Sequence, residues 1–127
     1  MSELSVNGEH RPQATASADA LARALTRLIE DEPEVELWLC HPDGASVCML
    51  RSGPHAWLMH LRFDGDSGFT SEGDPQQDGM VHYSLGNGQV DQYPLSWCID
   101  LAQCREALLH FFTHQGERDP RVKWTES

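Results

Sequence analysis

The sequence has no apolar run near the roughly 20 residues that a membrane-spanning helix needs. Its first residues, MSELSVNGEHRPQ, lack a basic stretch followed by an apolar one, so no signal peptide is expected there. The four cysteines, Cys40, Cys48, Cys98 and Cys104, form no C-x-x-C pair, and three sit within apolar-patterned segments. They read as small buried hydrophobes of a reducing compartment, not as redox or zinc ligands. Catalytic signatures are equally scarce. No G-x-S-x-G elbow, phosphate-cradling P-loop or G-x-G-x-x-G turn occurs. Neither H-E-x-x-H nor the H-x-E and P-C-x-x-C pair of a zinc deaminase is present. Basic residues are few as well: 9 Lys and Arg face 20 Asp and Glu, a formal net charge of −11.

That charge opposes binding to nucleic acid, whose affinity comes from Lys and Arg displacing counterions, and to anionic membrane surfaces. It suits a basic protein partner, since complementary fields speed and orient encounter. Solubility alone is the plainer reading of the same number. At 127 residues the chain reads as one domain, 1–127, able to fold without disulfide or metal. Residues 1–16 are expected to be flexible or to supply a short edge strand near Leu4–Val6.

Ser17 is a helix cap with Asp19 in the first turn, and Leu21, Leu25, Leu28 and Ile29 recur at helical spacing. These predict an amphipathic helix over 18–30, stopped before Pro33. Val35, Leu37 and Leu39 alternate as in a strand, and the turn signal HPDG predicts a return over Ser46–Leu50. His55–Phe63 follows the turn RSGP, with Trp57, Met59, Leu61 and Phe63 on one face. Phe63–Gly79 reads as a long connection. Met80–Leu85 and Gln89–Tyr93 flank the hairpin signal GNG. Asp100 with Gln103 forms a capping box for a second helix carrying Leu101, Cys104, Leu108, Phe111 and Phe112, with Gly116 as its terminator. Arg121–Thr125 predicts a last strand. The order (β)αβββ-ββαβ defines an α+β fold, a mainly antiparallel sheet packed on one face against two helices.

The stretch FDGDSGFTSEGD, Phe63–Asp74, gathers four carboxylates and no basic residue. It fails as a calcium-binding EF-hand. With Asp64 as position one, position five is Gly68, the turn glycine would be Phe69, and the bidentate glutamate would be Pro75. A looser calcium site stays open. Paired hydrolase carboxylates need a fixed separation, which a flexible loop does not give. His110 and His114 share a helix face and offer two metal ligands, but their place near a helix C-terminus also suits the dipole. Trp38, Trp57, Trp97 and Trp124 read as packing or as a ligand cage.

Three segments resemble immunity family one, bacterial proteins that protect a cell from its own polymorphic toxins. They are FTSEGD (Phe69–Asp74), VHYSLGNGQVDQYP (Val81–Pro94) and IDLAQCREALLHFFTHQGERDPRVKW (Ile99–Trp124). The shared positions are Val81, Tyr83, Gly86, Tyr93, Pro94, Phe111, Gly116, Pro120, Val122 and Trp124. The chain departs from the pattern at Thr70, where an aromatic is common, at Tyr93, where phenylalanine is usual, and in a longer GERDP segment. The resemblance implies a cytoplasmic, non-enzymatic inhibitor, without cofactor or metal, that forms a heterodimer with a basic toxin domain, often a deaminase acting on nucleic acid. It would bind neither nucleic acid nor membrane itself. Within that implied role, Asp64, Asp66, Glu72, Asp74 and Asp78, with Trp57, are the expected toxin-binding residues. A non-inhibitory adaptor domain is the alternative, and a metal-binding protein using His110, His114 and a cysteine comes after it.

Overall fold

The structure, a computed structural model, describes residues 2–127. Alternating apolar residues make the strands. β1 (Glu3–Val6), β3 (Glu34–Cys40), β4 (Ser46–Ser52) and β5 (His55–Leu61) form the body of an antiparallel sheet. Short strands β2 (Glu9–His10), β6 (Phe69–Ser71) and β9 (Trp124–Glu126) complete it in the order β2-β1-β3-β4-β5-β6-β9. Among the described residues the other elements are two α-helices, α1 (Ala18–Asp31) and α2 (Leu101–Thr113), two short 3-10 turns at Pro12–Thr15 and Leu95–Trp97, and a separate hairpin, β7 (Met80–Ser84) with β8 (Val90–Pro94). The α+β class read from the sequence holds.

The helices start and stop where the local chemistry requires. The Ala20 N–H donates to Ser17 Oγ at 3.0 Å, capping α1, and Leu21, Leu25 and Leu28 face inward. Arg51 clamps the other end, with Nη1 donating to the Ile29 and Glu32 carbonyls at 2.6 and 3.0 Å. At α2 the Asp100 N–H donates to Gln103 Oε1 at 3.2 Å. Gly116, at φ +88°, closes that helix by donating its N–H to the Phe111 carbonyl at 2.8 Å. Arg105 joins the helices, Nε to Thr26 Oγ1 at 3.1 Å and Nη2 to the Ala22 carbonyl at 3.2 Å.

The sheet is covered on both faces, not one. Val35, Leu37, Leu39, Val47, Met49, Ala56 and Leu58 meet α1 and α2. On the other face Cys48, Leu50 and Trp57 meet Tyr83 of the hairpin, with Trp38, Met59, Tyr93 and Trp97 around them. Polar anchors fix the hairpin. Gly86 N–H donates to Glu36 Oε1 at 3.0 Å and Ser84 Oγ to Glu34 Oε1 at 3.2 Å. A second apolar face explains why β4 is buried from Ser46 through Leu50 without alternation.

Two further expectations change. The connection Phe63–Gly79 contains β6, which pairs with β5 and β9. Strand β5 stops at Leu61, and Phe63 is 53% exposed instead of lying on the core face. The last strand begins at Trp124, because Asp119–Val122 is held in a turn by the Val122 N–H to Asp119 carbonyl bond.

Ser71 links the layers. Its buried Oγ accepts from the Leu58 N–H at 2.9 Å and donates to the Trp97 carbonyl at 2.8 Å. Beside it, a Cβ on Gly73 would collide with the Cys98 carbonyl oxygen. Replacing Ser71 with Ala leaves a buried donor and a buried acceptor without partners, a cost of about 1–3 kcal/mol. Urea unfolding of Ser71→Ala should show that loss as a lower midpoint with an unchanged slope.

Candidate functional site

The strand register divides the acidic stretch. β6 runs antiparallel to β5, with His60 opposite Phe69 and Met59 opposite Thr70. Asp64 and Asp66 therefore lie at the end of the sheet where β3 finishes and β4 begins. Glu72, Asp74 and Asp78 follow β6 and lie at the opposite end. The three-residue strand alone puts roughly 10 Å between them. They do not form one continuous lip.

Asp66 is an internal group. The Arg62 N–H and Nε both donate to its Oδ2 at 2.9 Å, and Arg62 Nη2 donates to its Oδ1 at 3.0 Å. Its side chain is 2% exposed. The Arg62 hydrogen bonds hold its carboxyl well below the usual carboxylate range. Arg62 also reaches Glu126 Oε2 at 3.2 Å and lies 4.9 Å from the Phe69 ring centroid. Arg118 covers the same ring at 3.6 Å. Asp66 thus shapes the β5–β6 turn and offers a partner little free charge. Trp57 is likewise inside, 4% exposed, with ring centroids 4.7 Å from Tyr93 and 5.0 Å from Trp97. It supports the hairpin layer from beneath, so direct contact with a partner is closed to it here.

Asp64, Asp74 and Asp78 are exposed, and Glu72 is half-buried. Asp64 and Glu3 stand close enough to Cys40 to add to the burial that raises its thiol. Asp74 Oδ1 accepts the Gln76 N–H at 2.9 Å, which fixes the turn while leaving the carboxylate in solvent. Glu72 is positioned by its N–H to the Lys123 carbonyl at 2.8 Å. Glu72 and Asp74 border a groove of about 500 Å³ between β6, the hairpin base and the start of α2. Asp100, His55, Ile99, Cys98, Arg121 and Lys123 complete its walls. Three carboxylates against one ammonium leave this groove net negative, because Arg121 is already committed. Its Nη2 donates to Asp119 Oδ2 at 2.8 Å, and its Nε and N–H to Oδ1 at 3.0 and 2.9 Å.

Sequence reading named Glu72 and Asp74 but not Asp100, Arg121 or Lys123, which border the same groove. Asp100 carries a cap signal and nothing that points to the groove. The β6–β9 pairing brings Arg121 and Lys123 there, and the Gly73 N–H to Ser96 carbonyl and Ile99 N–H to Ala56 carbonyl bonds, at 2.7 and 2.9 Å, bring the segment that carries Asp100. The histidine pair stacks, ring centroids 3.8 Å apart at 4°, and His114 Nδ1 sits 2.9 Å from Thr113 Oγ1. Among the described residues no three His, Cys, Asp or Glu side chains converge as metal ligands. No described helix is long and apolar enough to cross a membrane.

The class these features define is a small acidic α+β domain with an antiparallel sheet covered on both faces. The particular family follows from comparison with family models: residues 9–126 match the immunity protein Imm1 model, and the chain belongs to that family. The match runs from β2 into β9 and takes in both helices and the hairpin. The protein is accordingly an immunity protein, directed against a toxin. No curated protein matches the chain.

Two outcomes follow from the charges held inside. His60 is buried with Nε2 2.8 Å from the Gly116 carbonyl, and burial lowers its pKa below 6.5, although the Gly116 bond opposes the shift. The unfolded chain therefore binds the proton first. Stability is full above about pH 6.5 and declines as pH falls through that value toward the lower folded one. His60→Gln should flatten this decline in denaturant midpoints measured between pH about 7.5 and 5. Separately, Asp66→Asn should lower the melting temperature clearly, whereas Asp64→Asn should leave it within about 1 °C, as read by calorimetry.

Proposed function

We propose that this immunity protein neutralises its toxin by laying the Glu72–Asp78 end of the sheet over a cationic substrate cleft. The toxin would be a deaminase acting on nucleic acid, and the two would form a heterodimer in the cytoplasm of the producing cell. Membership of the Imm1 family supports the inhibitory role. The electrostatic mode rests on one observation: Glu72, Asp74 and Asp100 face a single groove at one end of a chain with net charge −11. An enzyme that handles nucleic acid needs a positive groove for phosphates. Carboxylates held on a fixed scaffold compete for that groove without being substrates. Here Asp74 is fixed by its own turn and Asp100 by its place at the start of α2. Such preorganisation limits the entropy lost on docking.

Charge at an interface acts first on the rate of encounter, by factors of about 10–10³ at low salt. The Glu72→Lys/Asp74→Lys pair should slow association with the toxin about tenfold or more and flatten its dependence on salt. Asp64→Lys, at the other end of the sheet, should change it less than about twofold. Stopped-flow mixing with the toxin encoded beside this protein measures both. Equal slowing by both ends, or by neither, removes the docking mode but leaves the immunity role standing. Failure of co-expression to protect cells from that toxin would remove the pairing itself.

A further inference from the structure

The few cations of this chain are unevenly used. Of 9 Lys and Arg, Arg51, Arg62, Arg105 and Arg121 hold backbone or carboxylate partners within the fold. Arg118 is stacked on Phe69, and Lys123 borders the acidic groove. The remaining three, Arg11, Arg23 and Arg27, all line one groove of about 770 Å³ between α1 and the segment His10–Ala14. Arg11 has only an exposed contact with Glu9 at 3.8 Å. Among the described residues the side chains of Arg23 and Arg27 make no hydrogen bond or ion pair. In a chain of net charge −11, every uncommitted guanidinium faces the same hollow.

The floor of that hollow is small and apolar: Ala20, Ala24 and Leu28 follow one another along α1. Small side chains let another backbone approach closely, and the arginines at the rim offer paired donors shaped for carboxylates. Ala20 to Glu32 spans about 18 Å, the length of three helical turns. Asp31 and Glu32 stand at the far end, where they favour the positive N-terminus of a helix lying in the groove. The one aromatic ring among its described lining residues is His10, whose Nε2 lies 3.7 Å from Glu3 Oε2, and no Phe, Tyr or Trp offers a platform for a nucleic-acid base.

We propose that this groove docks an acidic amphipathic helix of a protein partner, apolar face on the alanines, carboxylates on Arg11, Arg23 and Arg27, N-terminus toward Asp31 and Glu32. The surface is separate from the Glu72–Asp78 end and does not depend on how the toxin is held. Attraction is local, since at physiological salt the repulsion from distant carboxylates is screened beyond about 8 Å.

The test uses the full chain and three labelled probes: a three-turn helical peptide of Ala, Leu and Glu, the same peptide with Lys for Glu, and a short single-stranded oligonucleotide. Anisotropy titrations at about 0.15 M salt should show binding of the Glu peptide alone. Amide shifts should run along residues 20–32. Arg23→Glu/Arg27→Glu should weaken binding at least tenfold with an unchanged melting temperature, and Lys123→Glu should leave it unchanged. Arg11→Glu alone should weaken it in the same direction, a second reading if the double variant folds poorly. No binding of the Glu peptide, tighter binding of the Lys peptide or the oligonucleotide, or arginine variants without effect would each overturn the assignment.

Discussion

The central strands carry apolar side chains on both faces, and the rest of the molecule is arranged to cover them. One face, with Val35, Leu37, Leu39, Val47, Met49 and Leu58, is closed by the two helices. The other, with Cys48, Leu50 and Trp57, needs a second cover. Each such side chain is worth roughly 1.5–3 kcal/mol when fully removed from water. A lone two-stranded hairpin is marginal in water. Here β7–β8 becomes stable as that cover, with Tyr83 wholly buried beneath it and Glu36 bonded to the backbone at its turn. With both faces closed, polar chemistry is pushed to the two ends of the sheet and to the groove between α1 and His10–Ala14. That is where the exposed carboxylates and the uncommitted arginines are found.

Local signals carried over well from sequence to structure. Ser17 and Asp100 start helices because their side chains or near neighbours satisfy the first backbone donors, a requirement met within three or four residues. β3, β4 and β5 follow from alternation and from the turns HPDG and RSGP. The non-local features were hidden. β6 is three residues long among Gly, Asp and Ser, and only its pairing with β5 and β9 makes Phe69–Ser71 a strand. The hairpin's role as a second layer could not be read from β3, where Glu36 and Trp38 alternate with leucines like a solvent face. In the fold Trp38 Nε1 donates to Glu36 Oε2 at 3.0 Å, so the polar residue of that face satisfies the aromatic one. Of the expected partner-facing residues, Glu72 and Asp74 share a groove, Asp64 lies at the other end, and Trp57 is packed inside. Periodicity marks a tryptophan as apolar but does not say which layer will cover it.

Net charge counts every carboxylate alike, and the fold does not. Asp66 is cancelled at a distance by Arg62, and Asp119 by Arg121. For Asp119, burial pushes the carboxyl up, but the Arg121 hydrogen bonds and charge outweigh it and leave the group below its ordinary value. Neither pairing had a sequence signal. Arg62 and Asp66 are four apart without a helix, and Asp119 and Arg121 meet in a turn set by the α2–β9 connection. These pairs remove opposite charges together. The surplus that gives −11 is therefore carried by the groups that remain in solvent, and it acts from the surface.

Surface carboxylates steer a partner, yet steering alone does not hold it. Affinity in protein interfaces comes mainly from a few desolvated apolar or aromatic contacts, with charges governing rate and register. On the docking mode proposed above, Leu95 and Ile99 border the groove with the acids but are half-buried, and the exposed large apolar group nearest in sequence is Met80, two residues beyond Asp78 and 52% exposed at the start of β7. Phe63, the comparable group at the opposite end, has Arg62 5.7 Å over its ring and only Asp64 as a free acid in its own turn. Met80 is flexible and adapts to an irregular cleft, whereas Asp74 and Asp100 are rigidly placed. A fixed set of charges beside an adaptable apolar residue divides the work. On that mode the carboxylates would set the orientation in which a cationic cleft arrives, and the methionine would fill the shape it finds there.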